Sequence, residues 1–333
     1  MALRRAARLA AVTLLALASI AACGGTSSQG GGGSVTTVDM VAFQPPSLGD
    51  FLPPIIKARH LDTKHGLDLK VSYRTPDAYN LEFASGDFPL GGSASLLSEG
   101  VRWQRGDHTT FLFSEYDFWT AIATKRADIR TARDLEGKTL AASTVTTNYA
   151  LFRWFLGHAG VDMSKVQVKN YTPAGAVAAL EAGQVDAIDV TEPAYSTLIA
   201  RDHDVRTVKL DYSLWKKAYG TDAIPFLGVA AAPSWAQSHK QTVQRLYDTY
   251  RDAVAWVHGH PGEAGAIIAK TIPGGDPKVI QSLIEHNDRL RLRLSPAGQV
   301  RRGIEAAFDA GVSMGYLKSK PGDAFVYTGL KSS

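Results

Sequence analysis

The sequence has a single cysteine, Cys23, among its 333 residues. One cysteine cannot form a disulfide within the chain, so the fold must depend on a hydrophobic core rather than on covalent cross-links. Apolar residues make up 45% of the sequence, which is enough for such a core and excludes wholesale disorder. At this length the chain can hold two domains of ordinary size.

Long apolar runs are also scarce, and one of them lies at the start of the chain. Three arginines, Arg4, Arg5 and Arg8, precede an apolar run from Leu9 to Ile20 that is too short to span a bilayer. This order of charge and apolarity is typical of a secretory signal peptide, which we predict over residues 1–22.

Cys23 follows this segment directly. The sequence Ile20-Ala21-Ala22-Cys23 resembles the bacterial lipobox, whose cysteine is diacylated and becomes the mature N-terminus. A lone cysteine is otherwise a small buried residue, but this position favours the lipid anchor, for which two acyl chains suffice. The glycine-rich residues 23–35 are predicted to form a flexible linker that reaches about 20 Å. We therefore predict an exported protein, lipid-anchored to the outer face of the cell membrane.

The predicted mature protein has almost no net positive charge. The formal charge falls from +4 to +1 when the three arginines of the signal peptide are removed. A nucleic-acid partner requires clustered lysine and arginine, so this balance does not indicate one.

Recognisable catalytic and metal-binding motifs are missing as well. His258 and His260 flank Gly259, but only Glu263 lies near them, and metal sites need three or four ligands. The segment 311–315 matches the nucleophile-elbow pattern, yet it sits at a predicted helix end and no histidine follows it. No nucleophile–base pair is evident. We therefore predict no metal, no cofactor and no catalytic residue.

The segment 134–160 carries the clearest functional pattern. Thr139–Ala142 is a short apolar run typical of a buried parallel strand, and a helical apolar pattern runs from Tyr149 to Gly160. Five small polar residues lie between them: Ser143, Thr144, Thr146, Thr147 and Asn148. Such a turn presents free backbone N–H groups and the positive helix end, which together favour an anion. The alternative is that one hydroxyl simply caps the helix.

The rest of the body alternates short strands with helices, which predicts an α/β fold with a mostly parallel sheet in each of two lobes. The apolar runs 118–124 and 224–231 are predicted to lie side by side as two crossings between the lobes. Further expectations are a helix over 51–58 broken early by Pro53-Pro54, a strand over 88–90 followed by a turn over 91–95, one helix over 235–257 and one over 296–314.

Several segments of the sequence resemble those of a known family. Ile129-Arg-Thr-Ala-Arg-Asp134-Leu-Glu-Gly-Lys138 is similar to the start of the second lobe of ABC-transporter substrate-binding proteins, in the subgroup for nitrate, sulfonates, taurine and thiamine-precursor pyrimidines. Other matching segments are 143–148, 179–187, Glu192-Pro193 and 315–318. The resemblance covers about residues 36–320. The sequence differs from the usual pattern of the family at Gly91-Gly92-Ser93.

The resemblance implies a periplasmic-binding-protein type II fold. Each lobe would be a mixed, mostly parallel sheet flanked by helices, and two crossover segments would join the lobes. Lobe 1 would contain residues 36–121 plus 228–333, and lobe 2 residues 122–227. The ligand would lie in the cleft between them, at the carboxyl ends of the strands.

Several polar and aromatic residues fall at predicted strand ends and are candidates for ligand contact. Asp189 lies in an apolar strand, where a buried carboxylate needs a partner. Glu192 could accept a hydrogen bond from an ammonium group, or it could be a helix N-terminal charge. Trp119 could pack in the core or support a ligand. The full candidate set is Phe43, Gln44, Ser93, Ser95, Trp119, Ser143, Thr144, Thr146, Thr147, Asn148, Asp189 and Glu192.

The function expected is that of the solute receptor of an ABC importer, a monomer whose partners are the permease and ATPase subunits and the membrane. Its ligand would be a sulfonate, taurine or nitrate-like anion or zwitterion; the alternative is an aminopyrimidine thiamine precursor or another aromatic heterocycle. Alternatives of other classes are an exported hydrolase or transferase and a structural lipoprotein with an empty cleft. Iron-using pyrimidine synthases of similar fold need a cysteine-rich motif, which this sequence lacks.

Overall fold

The computed structural model describes residues 35–331 of the chain. The predicted signal peptide, Cys23 and the linker up to Ser34 lie outside the described residues.

The strands are short and are spread over most of this range. In chain order they are β1 (Thr36–Phe43), β2 (Leu67–Arg74), β3 (Leu90–Ser95), β4 (Thr110–Asp117), β5 (Ala121–Thr124), β6 (Thr139–Ala142), β7 (Gln167–Asn170), β8 (Ala187–Val190), β9 (Arg206–Lys209), β10 (Pro225–Ala231) and β11 (Leu292–Pro296).

The helices follow the strands in the alternation that the sequence predicts. They are α1 (Leu52–Ala58), α2 (Leu61–Lys64), α3 (Pro76–Ser85), α4 (Leu96–Gln104), α5 (Thr147–His158), α6 (Pro173–Glu181), α7 (Ala194–Arg201), α8 (Ser213–Tyr219), α9 (Pro233–Ser238), α10 (Lys240–Gly259), α11 (Pro261–Ala269), α12 (Pro277–Glu285), α13 (Asn287–Leu290) and α14 (Arg301–Ser313). None of the described helices is both long enough and apolar enough to cross a membrane.

Two mixed sheets organise the fold. The first has the strand order β11-β4-β10-β3-β1-β2 and the second β7-β6-β8-β5-β9. In the first sheet β1 is parallel to β2 and β3, while β10 is antiparallel to β3 and β4. In the second sheet β6 is parallel to β7 and β8, and β5 is antiparallel to β8 and β9. The predicted α/β class, with two mixed sheets flanked by helices, is confirmed.

Apolar side chains bury both faces of the first sheet. One cluster joins it to α4, α14 and α5, and another joins it to α1, α10, α11 and α12. Phe118 links the two sheets: its ring stacks on Phe155 of α5 at 5.8 Å between centroids and meets Phe226 edge-on at 5.7 Å. A third cluster lies between the second sheet and α6 and α7.

The predicted pairing of residues 118–124 with 224–231 is wrong. Strand β10 pairs with β4 and β3, whereas β5 pairs with β8 and β9 in the other sheet. The two segments do contact each other where the Phe118 N–H donates to the Ile224 carbonyl at 2.7 Å and the Phe118 ring meets Phe226. Ala121 pairs with Val190 in the second sheet, and Pro225 pairs with Asp117 in the first.

The turn predicted over the glycine-containing residues 91–95 of the first sheet is also wrong. Residues 91–95 lie in β3 rather than in a turn. A Cβ atom at Gly91 would lie 2.3 Å from the Tyr79 hydroxyl, and one at Gly92 would lie 2.3 Å from Met40 Sδ. Only glycine permits the strand to pack this closely on α3 and β1.

Three smaller expectations were wrong at element ends. Pro53 and Pro54 lie in the first turn of α1, where the missing N–H costs nothing, so they begin the helix rather than break it. The helix expected over 235–257 is two helices, α9 and α10. The helix expected from Pro296 begins only at Arg301, and Pro296 ends the unpredicted edge strand β11.

Candidate functional site

Polar residues cluster at one edge of the second sheet. Strands β6 and β8 end there, and their chains continue into residues 143–148 and 191–192. Strand β5 runs the other way and begins at this edge, opposite Val190, so Trp119 and Thr120 lie at the same place. The topology therefore brings together the candidates Trp119, Ser143–Asn148, Asp189 and Glu192.

Two of the threonines in the turn before α5 are bonded within the protein. Thr146 Oγ1 accepts from the Tyr149 N–H at 3.2 Å and donates to the Ser143 carbonyl at 2.8 Å, so Thr146 caps the helix. The N–H and Oγ1 of Thr144 both lie about 3 Å from Asn170 Oδ1, at 3.0 and 2.9 Å respectively. Ligand contacts predicted for these two hydroxyls would compete with these bonds.

Several donors in the same turn have no acceptor. Among the described residues, the backbone N–H groups of Val145, Thr147 and Asn148 and the Ser143 hydroxyl make no hydrogen bond. They lie at the N-terminus of a helix of 12 residues, where the helix dipole favours negative charge. The turn can therefore hold an anion through its backbone rather than through most of its hydroxyls.

Thr147 connects this turn to the first sheet. Its side chain is 3% exposed. Thr147 Oγ1 lies 2.9 Å from Ser95 Oγ and 3.1 Å from Ser98 Oγ, at the end of β3 and in α4. By contrast Ser93 is fully buried within β3, and its hydroxyl accepts from the Phe43 N–H at 2.9 Å. Ser95 therefore lies at the junction of the two sheets, while Ser93 supports the strand packing.

Asp189 lies next to the first turn of α5 and has the hydrogen-bond partners expected for a buried carboxyl group. Its Oδ1 is 2.5 Å from Thr120 Oγ1, and its Oδ2 accepts from Asn148 Nδ2 at 2.8 Å. Burial raises the pKa of Asp189 to about 7, and the two hydrogen bonds offset only part of that effect. Asn148 Oδ1 is buried and has no hydrogen-bond partner among the described residues.

Glu192 is held at the start of α7. Its carboxylate accepts from the Ser196 N–H at 3.1 Å and from the Ser196 hydroxyl at 3.0 Å. Burial raises its pKa, and the hydrogen bonds and the charge of Arg289 counteract this. Arg289 Nε lies 3.8 Å from Glu192 Oε1, and no acceptor among the described residues bonds to this atom. The Glu192 carboxylate is thus engaged within the protein as a helix N-terminal charge.

Aromatic candidates lie in two places, beside Glu192 and at the end of β1. Trp119 is partly exposed and meets Tyr195 edge-on at 5.1 Å, and the Arg289 guanidinium lies 5.6 Å from the Tyr195 ring centre. Phe43 meets Tyr79 edge-on at 4.7 Å, and Gln44 is exposed at the end of β1. Arg289 was not among the residues predicted from the sequence. The one sequence signal at this position is the alternation of arginine and leucine over residues 289–294.

A separate cavity of about 310 Å³ lies beside the chain crossing. It is lined by Asp117, Tyr212, Asp222, Asn287, Asp288, Arg291 and Arg293. Burial raises the pKa of Asp117 to about 6, although Arg293 and Arg291 counteract this. The Arg291 guanidinium stacks 4.1 Å above the Tyr212 ring, and the Tyr212 hydroxyl bonds to the backbone of Thr120. These contacts brace the crossing.

Within residues 35–331, no group of three or more His, Cys, Asp or Glu side chains is arranged to hold a metal ion. The chemistry available at the sheet edge is therefore that of hydrogen-bond donors, one helix dipole and two buried carboxyl groups.

The second sheet and α5 lie in a segment that matches a known family. The family described as NMT1/THI5 like matches residues 113–264. Residues 113–264 are therefore similar to proteins of this family. The matched segment contains β5 to β9, the turn before α5, Asp189 and Glu192, whereas Phe43, Ser95 and Arg289 lie outside it.

One relative gives a more specific likeness in sequence. A protein of Escherichia coli (strain K12), named as an aliphatic sulfonates-binding protein, is 28% identical over 167 residues. The match covers 50% of this chain and 49% of that protein, so the chain spans about half the length of this curated relative.

Solved structures show the fold over almost the whole described range. The periplasmic aliphatic sulphonate binding protein SsuA from Escherichia coli covers 86% of this chain and 96% of its own, at 21% identity and a TM-score of 0.72. The alkanesulfonate-binding protein SsuA from Xanthomonas axonopodis pv. citri, bound to MOPS, covers 88% and 99%, at 19% identity and a TM-score of 0.69. The predicted resemblance to ABC-transporter substrate-binding proteins is confirmed.

Proposed function

We propose that this protein is the extracytoplasmic solute receptor of an ABC importer and that it captures a small sulfonate at the turn before α5. The observation that carries the proposal is the set of three backbone N–H groups without an acceptor, at Val145, Thr147 and Asn148, on one helix N-terminus. A sulfonate presents three oxygens and a full negative charge to these donors. Such a site binds an anion without any arginine or lysine.

The charge of the surroundings supports an anion at this position. Asp189 contacts the turn through Asn148, and its pKa of about 7 keeps much of it neutral at pH 7. The Glu192 carboxylate already accepts a hydrogen bond from the Ser196 hydroxyl and lies 3.8 Å from Arg289 Nε. The names of the relatives from Escherichia coli and Xanthomonas, which refer to sulfonates and MOPS, point to the same ligand class.

The contact between the sheets supports a receptor that closes on its ligand. We propose that residues 36–121 plus 228–333 form one lobe and residues 122–227 the other. Ser95 and Ser98 in the first lobe and Thr147 in the second would then meet only when the lobes are closed. Hinge closure of this kind is common in binding proteins.

A ligand that carries a hydrogen-bond donor fits one further observation. Asn148 Oδ1 is a buried acceptor without a partner, and such an atom is costly to leave unpaired. An amino or hydroxyl group on the ligand would satisfy it, as in taurine. The aminopyrimidine alternative would use the same acceptor together with the ring of Trp119.

Binding rather than catalysis is supported by the partners of the hydroxyl groups. Among the described residues, the hydroxyls of Ser95, Ser98 and Thr147 bond to one another and none bonds to a histidine. A hydrolase or transferase would need such a nucleophile–base pair.

We further propose that Cys23 carries the lipid anchor and that the permease and ATPase subunits of the importer are the partners. Cys23→Ser should release the protein from membranes or leave the precursor uncleaved. Normal processing and membrane retention of this variant would contradict the anchor.

The function is tested by calorimetry with a panel of ethanesulfonate, taurine, MOPS, nitrate and acetate, and by mass spectrometry of compounds that co-purify with the protein. We expect one or more sulfonates to bind at micromolar concentration or below and to raise the melting temperature. A panel in which no sulfonate binds, with an aminopyrimidine found in the purified protein, would overturn the proposal.

A further inference from the structure

The hydrogen atoms around Asp189 can be counted from the geometry. Thr120 Oγ1 lies 2.5 Å from Asp189 Oδ1 and 2.9 Å from the Val190 carbonyl oxygen. A threonine hydroxyl has one hydrogen, and a carbonyl oxygen has none to give. Both contacts can be full hydrogen bonds only if the Asp189 carboxyl donates to Thr120 Oγ1 and the Thr120 hydroxyl donates to Val190.

The other side of the carboxyl agrees with a neutral acid. Asp189 Oδ2 receives one hydrogen bond, from the Asn148 amide, and the residue is 8% exposed. Among the described residues no guanidinium or ammonium group acts on this carboxyl, whose ionised form would be buried without a counter-charge.

From this geometry we propose that Asp189 takes part in ligand binding as a protonated acid, so that a sulfonate enters the site together with one proton. The inference rests on the proposed function, because it requires the anion to bind at the first turn of α5. It adds that Asp189 selects the charge of the ligand.

The physical reason is competition for one helix N-terminus. Asp189 accepts a hydrogen bond from Asn148 in the first turn of α5. A negative charge on Asp189 would therefore lie in the same positive potential of the helix N-terminus as the bound anion. Two negative charges at one buried site repel each other, and the weaker base keeps its charge. A sulfonate is a far weaker base than a carboxylate, so the proton goes to Asp189. An ionised Asp189 would instead suit a ligand that brings its own hydrogen, such as a hydrogen phosphonate.

The neighbouring titratable groups do not replace Asp189 in this role. Tyr149 on α5 and Tyr212 before α8 both have their pKa raised, mainly by burial and slightly by the Asp189 charge, so they stay neutral. Glu192 at the end of β8 faces Arg289 from α13 and the Ser196 hydroxyl. The positive charge of Arg153 on α5 faces Tyr149 and offsets part of the rise in the Tyr149 pKa.

The test measures proton uptake during binding by the wild-type protein. Binding enthalpies of the sulfonate in the panel that binds tightest are measured at one pH in buffers of different ionisation enthalpy, and the slope gives the protons taken up. With a pKa of about 7 in the free protein, we expect uptake of about half a proton at pH 7 and about 0.9 at pH 8. Affinity should be constant below pH 6 or so and should fall towards tenfold per pH unit above about pH 8.

Asp189→Asn mimics the protonated acid and gives the decisive comparison. It should bind the same sulfonate without taking up a proton, and its affinity should no longer depend on pH. Glu115→Gln is a matched control, since Glu115 is another fully buried acid, in β4 of the first sheet; it should leave proton uptake unchanged.

The outcomes separate the two proposals. Sulfonate binding without proton uptake by the wild type would overturn this inference and leave the proposed function standing. If no sulfonate binds, both fail. If Asp189→Asn does not fold, the wild-type uptake and its pH dependence still decide the question.

Discussion

Replacing Thr147 with valine removes one hydroxyl and keeps the shape of the side chain. That hydroxyl lies 2.9 Å from Ser95 Oγ and 3.1 Å from Ser98 Oγ, so it joins the N-terminus of α5 to the end of β3 and the start of α4. If the lobes separate when the site is empty, the bonds exist only in the closed form. The substitution then weakens ligand binding without touching the backbone donors.

The size of the effect follows from the number of bonds and their exposure. A hydrogen bond contributes about 0.5–1.5 kcal/mol net, so two would contribute about 1–3 kcal/mol. Ser95 and Ser98 are only half-buried, so water recovers part of what they lose. We therefore expect a loss of about 1–2 kcal/mol, which is roughly a 5- to 30-fold weaker Kd.

The assay is calorimetry of the tightest sulfonate with three proteins. Thr147→Ser keeps the hydroxyl and should bind within about twofold of the wild type. Thr139→Val is the matched control, because its hydroxyl bonds to Gln167 at the far end of β6 and β7, away from the sheet junction; it should bind like the wild type. Wild-type affinity in Thr147→Val would refute the idea that these contacts stabilise the closed form.

Three further predictions concern single side chains. Thr146→Ala should lower the free energy of unfolding by about 0.5–2 kcal/mol, because the cap on the Tyr149 N–H is lost; an unchanged urea midpoint would contradict the cap. Glu115→Gln should stabilise the protein at pH 7 but not at pH 4. Burial raises the pKa of Glu115 well above 4.5, so ionisation of the unfolded chain costs folded stability as pH rises through that value; equal urea midpoints of the variant and the wild type at pH 7 would contradict this. Glu192→Gln should weaken binding about tenfold or more if the ligand carries an amino group, and should leave binding of a simple anion unchanged or tighter, since a like charge is removed; a tenfold loss for ethanesulfonate would contradict the second part.

The strand–turn–helix unit around α5 could be predicted from sequence because its signals are local. The apolar run of β6, the polar turn and the helical period of α5 are adjacent in the chain, and the bounds of β6 are those predicted. Which hydroxyl would cap the helix and which would contact the first sheet was not predictable. Thr144 is bonded to Asn170 and Thr147 to Ser95, and these partners lie 26 and 52 positions away.

Asp189 shows how far a physical argument from sequence can reach. A carboxylate in an apolar strand implies a partner, and the structure supplies Thr120 and Asn148. Their identity depends on β5 and β8 pairing antiparallel, which periodicity does not specify. The predicted pairing of the two crossings was wrong for the same reason: the runs at 118–124 and 224–231 are both apolar, and nothing local assigns them to different sheets.

The measurement that tests the central claim most directly is a crystal structure of the protein with its tightest-binding sulfonate. The proposal predicts the sulfonate oxygens about 2.7–3.2 Å from the backbone nitrogens of Val145, Thr147 and Asn148, between the two sheets. A sulfonate bound elsewhere, for example in the cavity beside Arg291 and Arg293, with these three N–H groups still without an acceptor, would contradict it.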